Sequence, residues 1–389
     1  MKISEFCLLN GTSLKKNEGE GGYLYLDTAN ITNGVVDSFQ KYSSYADLPS
    51  RARRKVANNS IVYSTVRPNQ QHFGIITNPP DNLIVSTGFC VIDVDEKIAN
   101  PRYVYYYLSQ DSITKKLHAI AEQATTAYPS IKAKDLGDLE IELPDLDRQN
   151  EVAKILSSLD EKIVLNSAIN YNLQEQARSL FKAWFVDYIP FGGSKPANWK
   201  AGKLKDILLL KRNAIKPGEN TELNYLPIDA IPMNTFAVSE VRPNNEAQSS
   251  LITFNRDDII IGAMRIYFHR VIIAPFDGIT RTTCFTLCSR SKEYLAFNLL
   301  CCDQDSTIEY AQATSRGSTM PYAVWDGGLG EMMIEIPDKA IALEFNEIVL
   351  PIIRTIQSSF LENKRLQELR DGLLPRLITG ELDVSGLEL

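Results

Sequence analysis

The sequence predicts an α+β fold in which two strand-rich domains are joined by two long antiparallel helices. Apolar residues between Gln149 and Asp187, with Asn166 and Asn170 filling the two polar positions, recur in steps that alternate four and three, as a helix packed along another helix requires. The same pattern returns near the C-terminus at a constant offset, so that Leu156 matches Val349. Strand-like segments before the two helical patterns also repeat, which makes the chain an internal duplication.

Residues 1–144 are predicted to form the first strand-rich domain. Short segments of β-branched and aromatic residues, such as Tyr23–Leu26 and Ser60–Ser64, are separated by turn signals such as Asn33-Gly34. A helix with a tyrosine-rich face is expected at residues 102–124, and a last strand leads to Pro144. The mixture of short strands with one helix indicates an α+β domain.

The first long helix is predicted within residues 145–188. Pro144 precedes it, Asp145 or Asp147 is the candidate N-cap, and a segment rich in Gly, Pro and Ser follows it. A helix of this length extends roughly 55 Å at 1.5 Å per residue. Its predicted seam consists of Leu156, Leu159, Ile163, Asn170, Leu173 and Leu180.

The second half repeats the first, with a linker and second domain at residues 189–337 and a second long helix with its tail at residues 338–389. Pro351 predicts a kink or break near Leu350, and Gly372 to Gly380 should end this helix. The chain runs from the first domain to a long helix, then to the second domain and its long helix. If the two helices pack together, this order makes them antiparallel and holds the two domains apart. Polar Asn positions in the seam are expected to set its register, the alternative being a solvent-exposed stretch of helix. The second seam consists of Val349, Ile352, Ile356, Asn363, Leu366 and Leu373.

Composition and motifs argue against several classes of protein. A net charge of −7 is unlike a generic nucleic-acid coat, although local basic patches remain possible. Six Cys without a CxxC motif, no apolar run long enough for a membrane span and no signal peptide predict a cytoplasmic protein. The sequence contains no GxxxxGK[ST] loop and no metal-type spacing among its three His. The Asn-Pro-Pro-Asp string at residues 78–81 is interpreted as a turn, so no catalytic residue, metal or cofactor is predicted.

A basic segment of the first domain is the main candidate for contact with DNA. Residues 41–67 carry six Lys or Arg against one acidic residue. Arg can bind guanine in a bidentate manner, and Asn or Gln can bind adenine. A solvated loop is the alternative interpretation. The candidates are Arg51, Arg53, Arg54, Lys55, Arg67, Gln70, Gln71 and His72.

The second domain has a comparable segment, although Asp257, Asp258 and Asp277 dilute its charge. A further pair of polar loops lies before the last strand of each domain and could approach the DNA backbone, or be ordinary turns. The candidates in the second domain are Arg265, Tyr267, His269, Arg270 and Arg281, and those in the paired loops are Thr126, Tyr128, Arg316, Ser318 and Thr319.

An ordered set of motifs resembles the DNA specificity subunits of type I restriction-modification systems. The set comprises Leu-Pro-Asp-Leu-Asp-Arg-Gln at residues 143–149, the helical segments 153–163 and 180–187, Asn-Trp-Lys at residues 198–200, and the ending at residues 373–382. The resemblance covers the whole chain, with Ala342 departing from the Gln that opens the first helix. It implies a non-catalytic subunit whose two target recognition domains each read half of a bipartite double-stranded DNA site. It further implies that the helices set the spacer and bind two methyltransferase subunits, with motor-nuclease subunits joining that assembly.

Two alternatives remain open at this stage. The heptad pattern alone also permits a coiled-coil interaction scaffold that binds no DNA, which salt-dependent and sequence-selective DNA binding would exclude. A stand-alone DNA-modifying enzyme is the other alternative, and methyl transfer by the purified chain would favour it.

Overall fold

The computed structural model describes residues 1–16, 18, 21–123 and 129–383. They form two compact units: unit 1 comprises Met1–Glu161 together with the chain from Leu366 onwards, and unit 2 comprises Lys162–Arg365. Both units combine sheets with helices, so the predicted α+β class is confirmed.

Unit 1 is built on two four-stranded sheets. One has the antiparallel order β1-β10-β7-β8, and the other has the order β5-β2-β9-β6 with β2 and β9 parallel. The strands are β1 (Cys7–Leu9), β2 (Tyr23–Leu26), β3 (Ile31–Thr32), β4 (Val35–Val36), β5 (Gln40–Tyr42), β6 (Ala52–Lys55), β7 (Ser60–Ser64), β8 (Phe73–Ile76), β9 (Leu83–Ser86) and β10 (Phe89–Val94). The helices are α1 (Pro101–Ser109), α2 (Asp111–Glu122), α3 (Ala133–Gly137) and the first long helix, α4 (Leu146–Phe185).

Strand β7 shows how the sequence determines these layers. All of its residues are buried, because Ile61 and Tyr63 face one core while Val62 faces another. The tyrosine-rich face predicted for residues 102–124 packs into the first of these cores. The prediction of one helix there was wrong, because Gln110 is extended, with φ −61° and ψ 139°, and separates α1 from α2.

Unit 2 repeats this topology. Its sheet β12-β19-β16-β17 matches β1-β10-β7-β8, and the parallel pair β14 and β18 matches β2 and β9. The strands are β11 (Lys200–Lys203), β12 (Leu208–Leu210), β13 (Ala214–Ile215), β14 (Asn224–Tyr225), β15 (Leu251–Phe254), β16 (Ile259–Gly262), β17 (Val271–Ile273), β18 (Gly278–Arg281), β19 (Cys284–Ser289) and β20 (Met333–Ile336). The helices are α5 (Leu204–Ile207), α6 (Leu295–Cys302), α7 (Asp305–Ala313) and the second long helix, α8 (Lys339–Ile378).

Within unit 1, the beginning of α4 packs on the end of α8. Asp145 caps α4, since its Oδ1 accepts a 2.8 Å hydrogen bond from the Arg148 amide. Leu156 shares a core with Leu374, and one turn later Asp160 pairs with Arg370 at 2.7 Å. Residue numbers rise along one helix as they fall along the other, so the packing in unit 1 is antiparallel.

The same direction holds within unit 2. Asn166 of α4 donates a hydrogen bond to Asn363 of α8 at 2.9 Å. Farther along α4, the rings of Phe181 and Phe185 lie with their centroids 6.2 and 4.7 Å from that of Phe345. The helices are therefore antiparallel in unit 2 as well.

Helix α8 continues without interruption across Pro351, which excludes the break that was predicted there as the alternative to a kink. The proline removes one backbone hydrogen bond, but its ring is exposed while Val349 and Ile353 on either side are fully buried in the core of unit 2. The burial of those neighbours outweighs the lost bond. The helix ends within the range that the glycines predicted, at Ile378, and Gly380 follows with a left-handed φ of +73°.

Candidate nucleic-acid interface

Two turns with the same unusual backbone occupy equivalent places in the two units. Turn 1 (residues 67–71) joins β7 to β8, and turn 2 (residues 265–269) joins β16 to β17. Each is a short 3-10 helix between left-handed residues: Arg67 and Gln71 have φ of 47° and 55°, and Arg265 and His269 both have φ of 50°. Each left-handed non-glycine residue costs about 1–3 kcal/mol and persists only where its surroundings enforce it, most often at functional sites.

Backbone hydrogen bonds connect turn 1, and the segments beside it, to one another in unit 1. The β9–β10 turn bonds to the residue before β6 and to the residue after β7. The Thr87 amide donates to the Arg51 carbonyl, and the Thr65 amide donates to the Gly88 carbonyl, both at 2.8 Å. The Arg67 amide donates to the Pro129 carbonyl at 2.9 Å. We call the surface formed by turn 1, Arg51, the β9–β10 turn and Pro129 edge 1.

Unit 2 builds the corresponding surface with the same bonds. The Thr282 amide donates to the Ser250 carbonyl at 3.1 Å, and the Ala263 amide donates to the Thr283 carbonyl at 2.9 Å. The Arg265 amide donates to the Pro321 carbonyl at 2.8 Å. We call the surface formed by turn 2, Ser250, the β18–β19 turn and the segment 316–322 edge 2.

Edge 1 brings only part of the predicted basic cluster to its surface. Arg51, Arg67 and Gln70 are exposed there, and Gln71 is half-buried at the end of turn 1. His72, which follows, is held through its Nδ1, 2.7 Å from the Ile31 carbonyl. Two further candidates, Thr126 and Tyr128, lie outside the described residues.

Two of the three cations of β6, Arg53 and Lys55, have other partners, and the third, Arg54, is partly desolvated. Arg53 lies over the ring of Tyr45, 5.2 Å from its centroid, and donates to the Ala52 carbonyl. Lys55 pairs with Glu18 at 2.8 Å, and burial lowers the pKa of Arg54. These side chains are half-buried, so the strand that carries them contributes less to a contact surface than the sequence suggested.

Edge 2 presents a mixture of cations, hydroxyls and aromatic rings. Segment 316–322 is closed by reciprocal 2.9 Å bonds between the amides and carbonyls of Arg316 and Tyr322. The Tyr322 ring is 47% exposed and Tyr267 is 46% exposed, so both are available to a ligand. Sequence reasoning did not single out Tyr322, whose place beside turn 2 depends on a bond from a distant strand. The predicted residues that are exposed here are Arg265, Tyr267, Arg281, Arg316, Ser318 and Thr319.

Two predicted residues of unit 2 are turned inward. His269 is 8% exposed and its Nε2 lies 2.9 Å from Oδ1 of Asp303. Arg270 donates through Nη1 to the carbonyls of Ile228 and Ile231 and lies over the Phe268 ring. Neither side chain is placed to reach a base, so the structure removes both from the candidate interface.

The acidic residues expected to dilute the charge of edge 2 are engaged elsewhere. Asp257 pairs with Arg354 of α8, and Asp258 pairs with Lys211. Asp277 accepts a 2.6 Å hydrogen bond from the Arg256 amide. Cations compensate the charges of Asp257 and Asp258 locally, whereas Asp277 is exposed and keeps its charge, so the dilution expected from the sequence is reduced but not removed.

The predicted helix seam is buried to different degrees. Leu156 in unit 1 and Val349, Ile356 and Asn363 in unit 2 are buried. The remaining seam residues are half-buried: Leu159, Leu366 and Leu373 in unit 1, and Ile163, Asn170, Leu173, Leu180 and Ile352 in unit 2.

The cores of the two units cover several large apolar residues of α4. Phe181 and Phe185 are only 4% and 7% exposed in unit 2, and Ile155 packs against the core of unit 1. Apart from Leu146 at the start of α4, the large exposed apolar residues of this helix lie in unit 2, and they are Val164, Leu165, Ile169 and Tyr171.

The described residues contain no group of three or more His, Cys, Asp or Glu that could hold a metal ion. Among the helices of the same residues, none is long and apolar enough to cross a membrane.

Comparisons with known proteins find relatives of one kind. Residues 1–175 match the type I restriction modification DNA specificity domain. The chain is 24% identical to the type I restriction enzyme HindI specificity subunit of Haemophilus influenzae, covering 92% of this chain and 94% of the relative. It is also 24% identical to the MjaIX specificity subunit of Methanocaldococcus jannaschii, covering 87% and 84%.

A solved structure shares the fold. The S subunit of the type I restriction-modification system from M. genitalium superposes with a TM-score of 0.62 at 16% identity, covering 97% of this chain and 95% of that one. The repeated topology, the matched domain and these relatives lead to one conclusion: residues 1–175 carry a type I restriction modification DNA specificity domain, and over most of its length the chain is similar to type I restriction enzyme specificity subunits.

Proposed function

We propose that edge 1 and edge 2 each read one half of a bipartite double-stranded DNA site. The matched domain and the similarity to named specificity subunits support a non-catalytic DNA specificity subunit, with catalysis in partner subunits. The observation that carries the proposal is the construction of the two edges. The same strained turn is held by the same backbone bonds twice, yet it exposes Arg67 and Gln70 in one unit and Arg265 and Tyr267 in the other. A common frame with different exposed side chains suits two different half-sites.

The exposed groups fit the two kinds of contact that DNA offers. Arginines such as Arg51 and Arg316 can pair with phosphates, which positions the protein without reading sequence. Arg67 and Arg265 project from the turns and can donate two hydrogen bonds to guanine in the major groove. Each such bidentate contact contributes about 1–3 kcal/mol of discrimination, so a few of them per edge specify a half-site.

The long helices serve the proposed function in two ways. At 40 residues each, α4 and α8 extend about 60 Å, which exceeds one turn of duplex DNA, and we propose that they set the unread spacer. The exposed apolar residues Val164, Leu165, Ile169 and Tyr171 supply a surface for helices of the methyltransferase subunits. Two methyltransferase subunits and the motor-nuclease subunits complete the proposed assembly.

The test is to map the methylated motif of the assembled methyltransferase complex in a host genome by single-molecule sequencing. We expect a motif with two specified parts separated by an unread spacer. Arg67→Ala should relax bases in one part and Arg265→Ala should relax bases in the other. Arg212→Ala, which removes an exposed ion pair with Asp326 in unit 2, is the control and should leave the motif unchanged. A motif without a spacer, or relaxation of the same part by both variants, would overturn the proposal.

A further inference from the structure

In unit 2, two neighbouring side chains bind the buried carboxylate of Asp303. Asp303, at the junction of α6 and α7, is 4% exposed. Arg178 of α4 holds it in a bidentate manner, with Nε 2.7 Å from one carboxylate oxygen and Nη2 3.1 Å from the other. His269 Nε2 lies 2.9 Å from both Oδ1 and the carbonyl oxygen of Asp303, so this nitrogen carries the proton. A charge buried this deeply is tolerated only with such partners.

This network reaches turn 2, because His269 is the left-handed residue at the C-terminal end of that turn. The backbone of His269 is held by a second route, since its carbonyl accepts a 2.9 Å bond from the Asn234 amide. The Asn234 carbonyl in turn accepts a 2.5 Å bond from Gln174 Nε2. Gln174 and Arg178 lie one turn apart on α4. The helix therefore holds the backbone of His269 through Gln174 and Asn234, and its side chain through Arg178 and Asp303.

Unit 1 keeps the backbone route but lacks the charged one. The Asn33 amide donates to the Gln71 carbonyl at 2.8 Å, as Asn234 does to His269. Gln71 stands where His269 does, and Ser109 stands where Asp303 does, before the Gln that precedes the second short helix. Both residues are neutral, and the Ser109 hydroxyl donates to the Tyr106 carbonyl. The ionic connection to the turn is therefore a feature of unit 2.

We propose that Arg178, Asp303 and His269 form a positioning network for turn 2, so that base discrimination at the half-site read by edge 2 depends on side chains that do not contact DNA. The inference rests on the proposed function of the edges. The network fixes the end of the turn whose other end is Arg265. A left-handed pair of non-glycine residues relaxes readily when one of its restraints is lost, and the guanidinium of Arg265 then leaves its position.

Two substitutions remove the network in different ways. Asp303→Asn keeps the shape of the side chain and removes its charge. His269→Asn keeps a residue that tolerates the left-handed conformation and removes the Nε2 bonds. Each should lower discrimination at one half-site about tenfold, the effect of losing roughly one base contact. Non-specific affinity and its salt dependence should not change, because no phosphate contact is lost.

The experiment measures binding of the assembled methyltransferase complex to duplexes that carry the mapped motif with one base changed in either half. Asp303→Asn and His269→Asn should lose discrimination in the half that Arg265→Ala relaxes, and keep it in the other half. Arg212→Gln, which disrupts an exposed ion pair of the same unit, is the matched control. Tryptophan fluorescence, which reports unit 2 alone because Trp184, Trp199 and Trp325 all lie there, shows whether each variant is folded.

The outcomes separate the inference from the function on which it rests. Wild-type discrimination in both variants, or an equal loss in both halves, overturns the positioning network. A wild-type complex that does not discriminate in either half overturns the proposed function instead. If Asp303→Asn does not fold, His269→Asn still decides the question, because it leaves the Arg178–Asp303 pair intact.

Discussion

Replacement of the buried asparagines between α4 and α8 tests the helix packing of unit 2. Asn166 and Asn363 are 4% and 7% exposed. Asn166 Nδ2 donates to Oδ1 of Asn363 and to Oε2 of Glu362, both at 2.9 Å. Asn363 Nδ2 donates to the Ile163 carbonyl and to the Ser167 hydroxyl, both at 3.2 Å. One hydrogen bond thus joins the two amides across the seam, and each amide also donates to a further group of the opposite helix.

The expected magnitudes follow from which groups are left without partners. Asn363→Leu removes an acceptor from Asn166 and a donor from the Ile163 carbonyl, and should lower the free energy of unfolding by about 1–3 kcal/mol. Asn166→Leu should have a smaller effect, because Asn363 keeps both of its donated bonds. The double variant removes both amides together and should lie within about 1 kcal/mol of the wild type, since apolar replacement of a paired polar group is nearly neutral.

The assay is urea unfolding followed by tryptophan fluorescence, which isolates unit 2. The double-mutant cycle should give a coupling free energy of about 1–2 kcal/mol. Additive effects of the two substitutions would show that the amides do not interact and would refute the reasoning. Ser359→Ala on the same helix, a half-buried position, is the control and should change the midpoint little.

Three further predictions concern other parts of the chain. Phe345→Ala should destabilise unit 2 by about 3–5 kcal/mol, because its buried ring contacts Phe181, Trp184 and Phe185; a loss below about 1 kcal/mol in the same urea assay would contradict this. Gln71→Val should destabilise unit 1 by about 1–3 kcal/mol in thermal unfolding while Gln71→Gly does not, because a β-branched residue resists the left-handed conformation; equal effects would count against strain in turn 1. Burial raises the pKa of the Cys301 thiol to about 12, so the folded chain keeps a proton that the unfolded chain loses near pH 8.5, and stability should fall as the pH rises from there towards 12. Alkylation measured by mass spectrometry at pH 9 should spare Cys301 in the native protein and modify it in urea, whereas modification of both states would contradict the burial.

The long helices and the duplication could be predicted because their signals are periodic and local. A heptad pattern identifies α4 and α8 whatever their surroundings are, and the sequence narrows the N-cap of α4 to Asp145 or Asp147, between which the structure selects Asp145. The effect of Pro351 was overestimated, because the burial of Val349 and Ile353 that compensates for it comes from tertiary packing. The partner of Asn363 could not be identified either, since Asn166 and Asn170 occupy neighbouring turns and only the structure shows which amide faces it.

The candidate interface was predictable only in part. The arginine-rich segment pointed to edge 1, but the left-handed backbone of Arg67 and Gln71 has no signature in side chains of those types. In unit 2, the burial of His269 depends on Asp303, 34 residues away, so sequence proximity to Arg265 was misleading. Contacts between distant segments decide which polar residues face solvent, and composition does not encode them.

The assembled complex and three duplexes test the central claim most directly: the complete mapped site, the site with its first half scrambled, and the site with its second half scrambled. The wild type should bind each scrambled duplex far more weakly than the complete one. Arg67→Ala should reduce the difference for one scrambled half and Arg265→Ala should reduce it for the other. If both variants affected the same half, or if scrambling either half left the binding of the wild type unchanged, two separate reading edges could not be the basis of specificity.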